Sequence, residues 1–341
     1  MDGQEFRDIR QRLRLRQRDM KDELNRMLGR NYDVPRISRW ESGREPIPAE
    51  VGSALRRLAA NLPSQTTVLC FANQKGGVGK TTSAINIAAA LRLAGARVLL
   101  VDLDPQATAT LGVVASRAAT LYRDGKTMAH VILRDRPLEE IIIPADGPAE
   151  FACDVASSHI DLAEADSRRE PGFEKALAEA LDNIRHRYDV IVVDAPPNLG
   201  MLTWQALSAA TGVIVPVRTE PYDAMGVGLI LSTITKIQRR SNPHLRLLGV
   251  LPTQFNRRKQ VDREVLAQIG EALGDRVALL EPVPEAALFG HASRNGTSAL
   301  ALDPDHPAVR IYRDIAAFLL GRAELPILAP TPPSPSAEPT S

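Results

Sequence analysis

The residues from Gln74 to Thr82, Gln-Lys-Gly-Gly-Val-Gly-Lys-Thr-Thr, carry the densest chemistry in the sequence. Gly76, Gly77 and Gly79 let the backbone curl until several N–H groups aim at one point, and a helix starting there adds the positive end of its dipole. Such a point receives phosphate. With Gly76, Gly77, Val78, Gly79, Lys80, Thr81 and Thr82 around it, the loop binds a nucleoside triphosphate. Lys80 reaches the β- and γ-phosphates, and the Thr81 hydroxyl ligates Mg²⁺. The common form of this loop has glycine where this chain has Gln74, and Lys75 is an addition. A second lysine is redundant for cradling phosphate beside Lys80. It can instead reach across a dimer interface to a neighbour's phosphates and clamp the charge of the transition state, as an arginine finger does.

Carboxylates follow at the ends of two apolar runs. Val98-Leu99-Leu100-Val101 leads into Asp102 and Asp104, spaced to face the same way along an extended chain, and Val190-Ile191-Val192-Val193 leads into Asp194. Acids just beyond the carboxyl ends of parallel strands can hold Mg²⁺ and its waters or orient an attacking water. One such acid is more often a turn or a cap; three downstream of a phosphate loop make a site.

The elements that must position these groups are legible. Val68 to Ala72 reads as a buried strand before the loop, and Ser83 to Leu93 as the helix after it, which is the strand–turn–helix context the loop requires. The chain then resembles the ParA branch of the ParA/MinD ATPases, whose deviant phosphate loop has an extra lysine. The resemblance runs from about Thr66 to about Gly321 and rests on NQKGGVGKTT (73–82), VLLVDLDPQATAT (98–110), YDVIVVDAPPNLGMLTWQAL (188–207) and VIVPVRTEPYDAMGVGLI (213–230). GVLPTQFNRR (249–258) and DPDHPAVRIYRDIAAFL (303–319) extend it.

The resemblance implies an α/β P-loop NTPase fold, a mostly parallel sheet flanked by helices, and ATP hydrolysis with Mg²⁺. It implies that Lys75 acts in trans within an ATP-bound homodimer, that Asp104 positions or activates the hydrolytic water, and that Asp102 and Asp194 support the metal. It further implies nonspecific binding of nucleoid DNA and a ParB-type centromere-binding partner that stimulates hydrolysis. The family often has Cys before the double proline and Ser after it, where this chain has Ala195 and Asn198; neither difference removes a charge.

With 341 residues, 44% of them hydrophobic and 24% charged, the chain has the composition of a soluble globular protein with room for one large and one small domain. It has no apolar run long enough for a membrane span, and its first residues are charged rather than signal-like, so a cytoplasmic protein is expected. Cys70 and Cys153 are too few for a disulfide framework or a zinc site, and they argue against the cluster-binding relatives of the fold. The net charge of +1 hides an asymmetry. Residues 1–60 hold 14 Lys and Arg against 10 Asp and Glu, while the remainder holds 28 against 31. The front segment therefore seeks an anion, with nucleic acid the foremost candidate.

In that segment, apolar residues recur at helical spacing: Phe6, Ile9, Leu13; Leu24, Met27, Leu28; Ile37, Trp40; Val51, Leu55, Leu58. Four short helices are expected, with turns at Gly29-Arg30-Asn31 and Gly43-Arg44-Glu45-Pro46. The stretch Val34 to Gly43, with Trp40-Glu41-Ser42-Gly43, resembles the helix-turn-helix of phage-repressor-type (Cro/CI-like) regulators. The resemblance puts a small all-α DNA-binding domain over residues 1–62, ahead of the ATPase domain at 66–322. Arg36, Ser38 and Arg39 are then free to meet base edges, and Arg30 and Arg44 suit phosphates. The alternative is a small helical module for dimerisation or partner binding, its arginines a solvated face.

A linker is expected at Asn61 to Gln65, a helix at Thr127 to Leu133 and a strand at Ile141 to Ile143. A disordered Pro-rich tail is expected over 323–341, with six prolines in the last sixteen residues. It lacks the amphipathic pattern with which MinD-type relatives grip membranes. At the end of an expected helix at Met225 to Ile237 and just after it stand Lys236, Arg239 and Arg240 at i, i+3, i+4; Arg257, Arg258 and Lys259 follow the next strand. In the resembled family such basic positions bind DNA without sequence preference.

The reading that unites these features is a DNA-partitioning ATPase with an autoregulatory operator-binding front domain, nucleoid-associated through its ATP dimer. Two rivals remain: a related ATPase that positions a protein cargo, and a transcription regulator that holds ATP with little hydrolysis.

Overall fold

The computed structural model describes residues 1–13, 15–60, 66–144, 153–221 and 223–328. The first part is all helical: α1 (Gly3–Arg12), α2 (Gln17–Leu28), α3 (Val34–Glu41) and α4 (Ala49–Ala60). Gly29, at φ 60°, ends α2 in the left-handed conformation, and the Asp33 carboxylate caps α3 by accepting from the Arg36 N–H. Trp40 is fully buried, with Phe6 and Tyr32 packed on its ring at 5.8 and 5.0 Å between centroids. Ile37, Leu24, Met20, Val51 and Leu55 complete this core. All four expected helices are present. Met27, expected inside, is 36% exposed; Met20 takes its place, one turn before Leu24 on the same face.

The second part is a six-stranded, wholly parallel sheet in the order β3-β2-β4-β1-β5-β6: β1 (Thr67–Phe71), β2 (Val98–Asp102), β3 (Asp154–Ala156), β4 (Val190–Asp194), β5 (Gly212–Arg218) and β6 (Arg246–Thr253). Strand residues alternate between two cores. Val68, Cys70, Leu99, Val101, Ile191 and Val193 point to one face, while Leu69, Phe71, Val98, Leu100, Val190 and Val192 point to the other. Parallel strands buried on both sides need this unbroken apolar composition. Helices α5 (Lys80–Leu93) and α6 (Thr108–Arg123) cover the second face together with α12 (Ala287–Arg294), α13 (Ala299–Leu302) and α14 (Arg310–Leu319). On the first face lie α7 (Met128–Arg134), α8 (Ala176–Asp182), α9 (Met201–Ala209), α10 (Asp223–Arg240) and α11 (Gln260–Leu273).

Three expectations change. Ile141 to Ile143 forms no strand: a 3-10 turn occupies Leu138–Glu140, and Ile143 makes one antiparallel bridge to Val155. The edge strand is instead β3, only three residues long, too short for its alternation to be read. Helix α10 starts at Asp223 and runs to Arg240, so Arg239 and Arg240 are inside it along with Lys236. The tail expected to be disordered is held at its start, because Leu325 packs on the core, Ile327 bridges Leu280, and the Leu328 N–H donates to the Leu279 carbonyl. Residues 329–341 and the expected linker at 61–65 lie outside the described residues. Among the described residues no helix is long and apolar enough to cross a membrane.

Candidate active site

The sheet reverses direction of growth at β1: its chain neighbour β2 lies beyond β4 on one side, and β5 lies on the other. The carboxyl ends of β1 and β4 therefore border a crevice where ligands of such sheets bind. The loop after β1 fills it. Gly77 and Gly79 have φ of 72° and 87°, a conformation that strains any residue with a Cβ, and a Cβ on Gly79 would meet Thr253 at 3.4 Å. The loop's shape is held from the sides: the Thr253 hydroxyl donates to the Val78 carbonyl at 2.8 Å, and the Gln254 amide to that of Gly77 at 3.0 Å. Gly79 then caps α5, whose first residue is Lys80.

Lys80 is 6% exposed and its ammonium donates to the Lys75 carbonyl at 3.0 Å, stretching the side chain back over the loop. Burial pulls this ammonium below its ordinary pKa, and the charges of Asp194 and Asp104 oppose that pull. The Thr81 hydroxyl donates to Asp194 Oδ2 at 2.7 Å. Asp194 is fully buried, its Oδ1 has no hydrogen-bond partner among the described residues, and burial first, then the charge of Asp102, pushes its carboxyl well above the usual carboxylate range. A buried carboxylate oxygen with an open lone pair, beside a hydroxyl at the mouth of a phosphate loop, fits a hard divalent cation. The donor set suits Mg²⁺.

Asp102 stands in register with Asp194 across β2 and β4, but its oxygens are already engaged. Oδ2 accepts from the Thr110 N–H and hydroxyl, both at 2.7 Å, and Oδ1 accepts from the Asp104 N–H at 3.1 Å. Burial raises its carboxyl to about 6 in spite of these bonds. Asp102 thus ties the start of α6 to the turn that carries Asp104. Asp104 is 7% exposed; one oxygen accepts from the Gln106 N–H at 2.9 Å.

Lys75 bonds Asp223, the first residue of α10, rather than pointing freely into solvent. Beside the loop, a pocket of about 240 Å³ is lined by Gly79, Thr82, Thr253, Gln254, Pro284 and Phe289 among others. Sequence reading missed Thr253, Gln254 and Asp223, although Thr253 closes β6, Gln254 follows it and Asp223 opens the helix after β5; a place at the carboxyl end of the sheet is the one signal that could have marked them.

The expected DNA-facing residues are distributed differently. Arg36 and Arg39, expected to be free, both bond Glu45, at 2.7 and 2.9 Å, and Arg30 pairs with Glu50 at 3.1 Å. Ser38 and Arg44 are exposed. Lys236, Arg239 and Arg240 are exposed in the last two turns of α10, near the amino end of β6. Arg257 and Arg258 follow the carboxyl end of β6, and Lys259 there is paired with Glu285 at 3.0 Å. The two clusters sit at opposite ends of β6.

Comparison with known proteins follows the same outline. Residues 66–247 match the family described as an AAA domain. The chromosome-partitioning ATPase Soj of Thermus thermophilus is 38% identical over 260 residues, spanning 75% of this chain and 96% of that protein. The sporulation initiation inhibitor protein Soj of Bacillus subtilis is 34% identical over 251 residues, spanning 73% and 96%. The solved structure of cobyrinic acid a,c-diamide synthase from Mycobacterium smegmatis, with bound ADP and magnesium, superposes with a TM-score of 0.64 at 33% identity, covering 78% of this chain and all of that one. A plasmid partition protein of Borrelia burgdorferi bound to AMPPNP, 23% identical with a TM-score of 0.63, shares the fold. With the phosphate loop, the Thr81–Asp194 pair and these matches together, the chain belongs to the ParA-type P-loop ATPases, the Soj family of partition ATPases, and uses ATP and Mg²⁺.

Proposed function

We propose that this ATPase moves DNA: two chains sandwich two ATP molecules, the dimer coats nucleoid DNA, and a ParB-type partner stimulates hydrolysis and release. The observation that carries this reading is Lys75 in the loop, a second ammonium that Lys80 makes redundant for its own phosphates. In the sandwich each Lys75 serves the other chain's nucleotide. Thr81 and Asp194 would hold Mg²⁺, which when bound neutralises phosphate charge, while Asp102 keeps the Asp104 turn in place. Lys80 binds the phosphates, and Asp104 orients the water for attack on the γ-phosphate. The pocket by Thr253, Gln254, Pro284 and Phe289 suits the adenosine part of ATP, an apolar wall for a flat base beside polar groups for the sugar.

The basic residues at the end of α10 and after β6 neutralise DNA phosphates, and the front domain binds an operator through α3, with Arg36, Ser38 and Arg39 toward the bases and Arg30 and Arg44 toward the backbone. The protein then works in the cytoplasm on the nucleoid. A salt-titrated DNA-binding assay with ADP and with a nonhydrolysable ATP analogue tests the reading. The analogue should produce binding to arbitrary DNA that weakens steeply with salt; equal binding with both nucleotides would refute it.

A further inference from the structure

Lys75 is not idle in the single chain. Its ammonium is bonded to Asp223 Oδ1, while Arg218 donates to Asp223 Oδ2 at 3.2 Å and to Glu220 at 2.9 Å. Arg218 also lies against the phosphate loop, where a Cβ on Gly77 would come within 4.0 Å of its terminal nitrogen. We propose that Asp223 is a latch that retains Lys75 in the lone chain, so that a second chain's bound triphosphate must win this ammonium from Asp223 before the dimer closes. The proposal rests on the cross-chain role of Lys75 given above.

Three features fit a latch better than a fixed structural pair. Asp223 is 1% exposed in its side chain, whereas Lys75 is 41% exposed, so the cation can leave and the anion cannot. A buried carboxylate stripped of its only counter-charge is strongly destabilising, which keeps most buried pairs shut. Asp223 has a second cation, and Arg218 stays when Lys75 departs. Finally, Lys75 is a point charge on a flexible stem, able to exchange one anion for another without the fork geometry that ties an arginine to its carboxylate. The competitor is phosphate. A triphosphate outweighs one carboxylate, and a diphosphate lacking the γ-group competes less well. The latch therefore makes closure depend on which nucleotide the partner holds, through the difference in affinity between the two anions for the same ammonium.

Asp223→Asn keeps the shape and removes the charge, with Arg218 still held by Glu220. In the nucleotide-free full-length chain, labelling of Lys75 by a limiting amine-acylating reagent, read by mass spectrometry, should rise roughly twofold to fivefold, the range expected for losing one partly exposed ion pair. Sedimentation with a nonhydrolysable ATP analogue should show tighter self-association by a similar factor, with some dimer even in ADP. Arg218→Gln leaves Asp223 itself untouched and so provides a second test should the first variant fold poorly. It should do the reverse, leaving Lys75 as the main counter-charge of Asp223 and weakening analogue-driven association. Unchanged labelling in Asp223→Asn overturns the latch. Raised labelling with equal or weaker association overturns its control of closure. A wild-type chain that stays single at saturating analogue overturns the cross-chain role itself, and is recognised because the labelling change would persist.

Discussion

At the scale of residues, the site divides into groups that bind and groups that turn over. Lys80 lies over its loop with its ammonium already near phosphate-binding backbone, so Lys80→Ala should lose ATP binding outright, as read by fluorescent-nucleotide titration. Asp104→Ala should still bind ATP and remain locked on DNA while phosphate release falls by about two to four orders of magnitude, the usual worth of general acid–base help. Normal turnover in Asp104→Ala would reassign the water-positioning acid. His130 offers a test by pH. Burial, then Arg134 and Arg136, hold its imidazole below the ordinary histidine value. A folded value below the unfolded one means that this stabilisation is present above the unfolded pKa, about 6.5, and is lost as pH falls through the lowered folded value. The urea midpoint of the wild type should therefore drop more than that of His130→Gln between about pH 7.5 and pH 5.5. The loop and the three acids were legible because type and spacing define them. The partner of Lys75 was not: it meets Asp223 across 148 positions, and no local pattern reports a contact of that range, while the meeting of Thr81 and Asp194 across 113 positions was foreseen only because the family resemblance put both at one Mg²⁺.

At the scale of elements, periodicity carried most of the reading and failed where an element is too short to have a period. The four front helices, α5 and α10 were visible from their apolar faces or their neighbours. β3, with three residues at the sheet edge, was not, and the apolar triplet from Ile141 to Ile143 imitates a strand in its place. The four front helices rest on one aromatic centre. Trp40 is fully buried between Phe6 and Tyr32, and Arg36 stands over its ring at 5.6 Å. Trp40→Ala should cost that helical core about 3–5 kcal/mol, the range for truncating a buried aromatic. Far-UV circular dichroism should then show early loss of helix while ATPase activity persists. Simultaneous loss of both would mean that the two parts do not fold independently.

At the scale of the whole molecule, the sheet separates two surfaces that were indistinguishable in sequence. Both basic clusters were visible as charge; only the parallel topology reveals that Lys236, Arg239 and Arg240 lie toward the amino end of β6 and Arg257 and Arg258 beyond its carboxyl end. Replacing Lys236, Arg239 and Arg240 together by alanine should lower the slope of log affinity against log salt by about 2–3 for analogue-bound protein on duplex DNA. An unchanged slope would assign the DNA to the opposite end. Helix α10 joins these regions. Its first residue touches Lys75, and its 18 residues carry the chain about 27 Å to the basic turn. Because each residue of a helix adds about 100° of rotation, one extra residue in its middle would swing the three cations around the axis while leaving Asp223 where it is. Energy transduction here would then be a matter of angular phase: the rod would remain intact, yet its two ends would no longer agree on which way is forward.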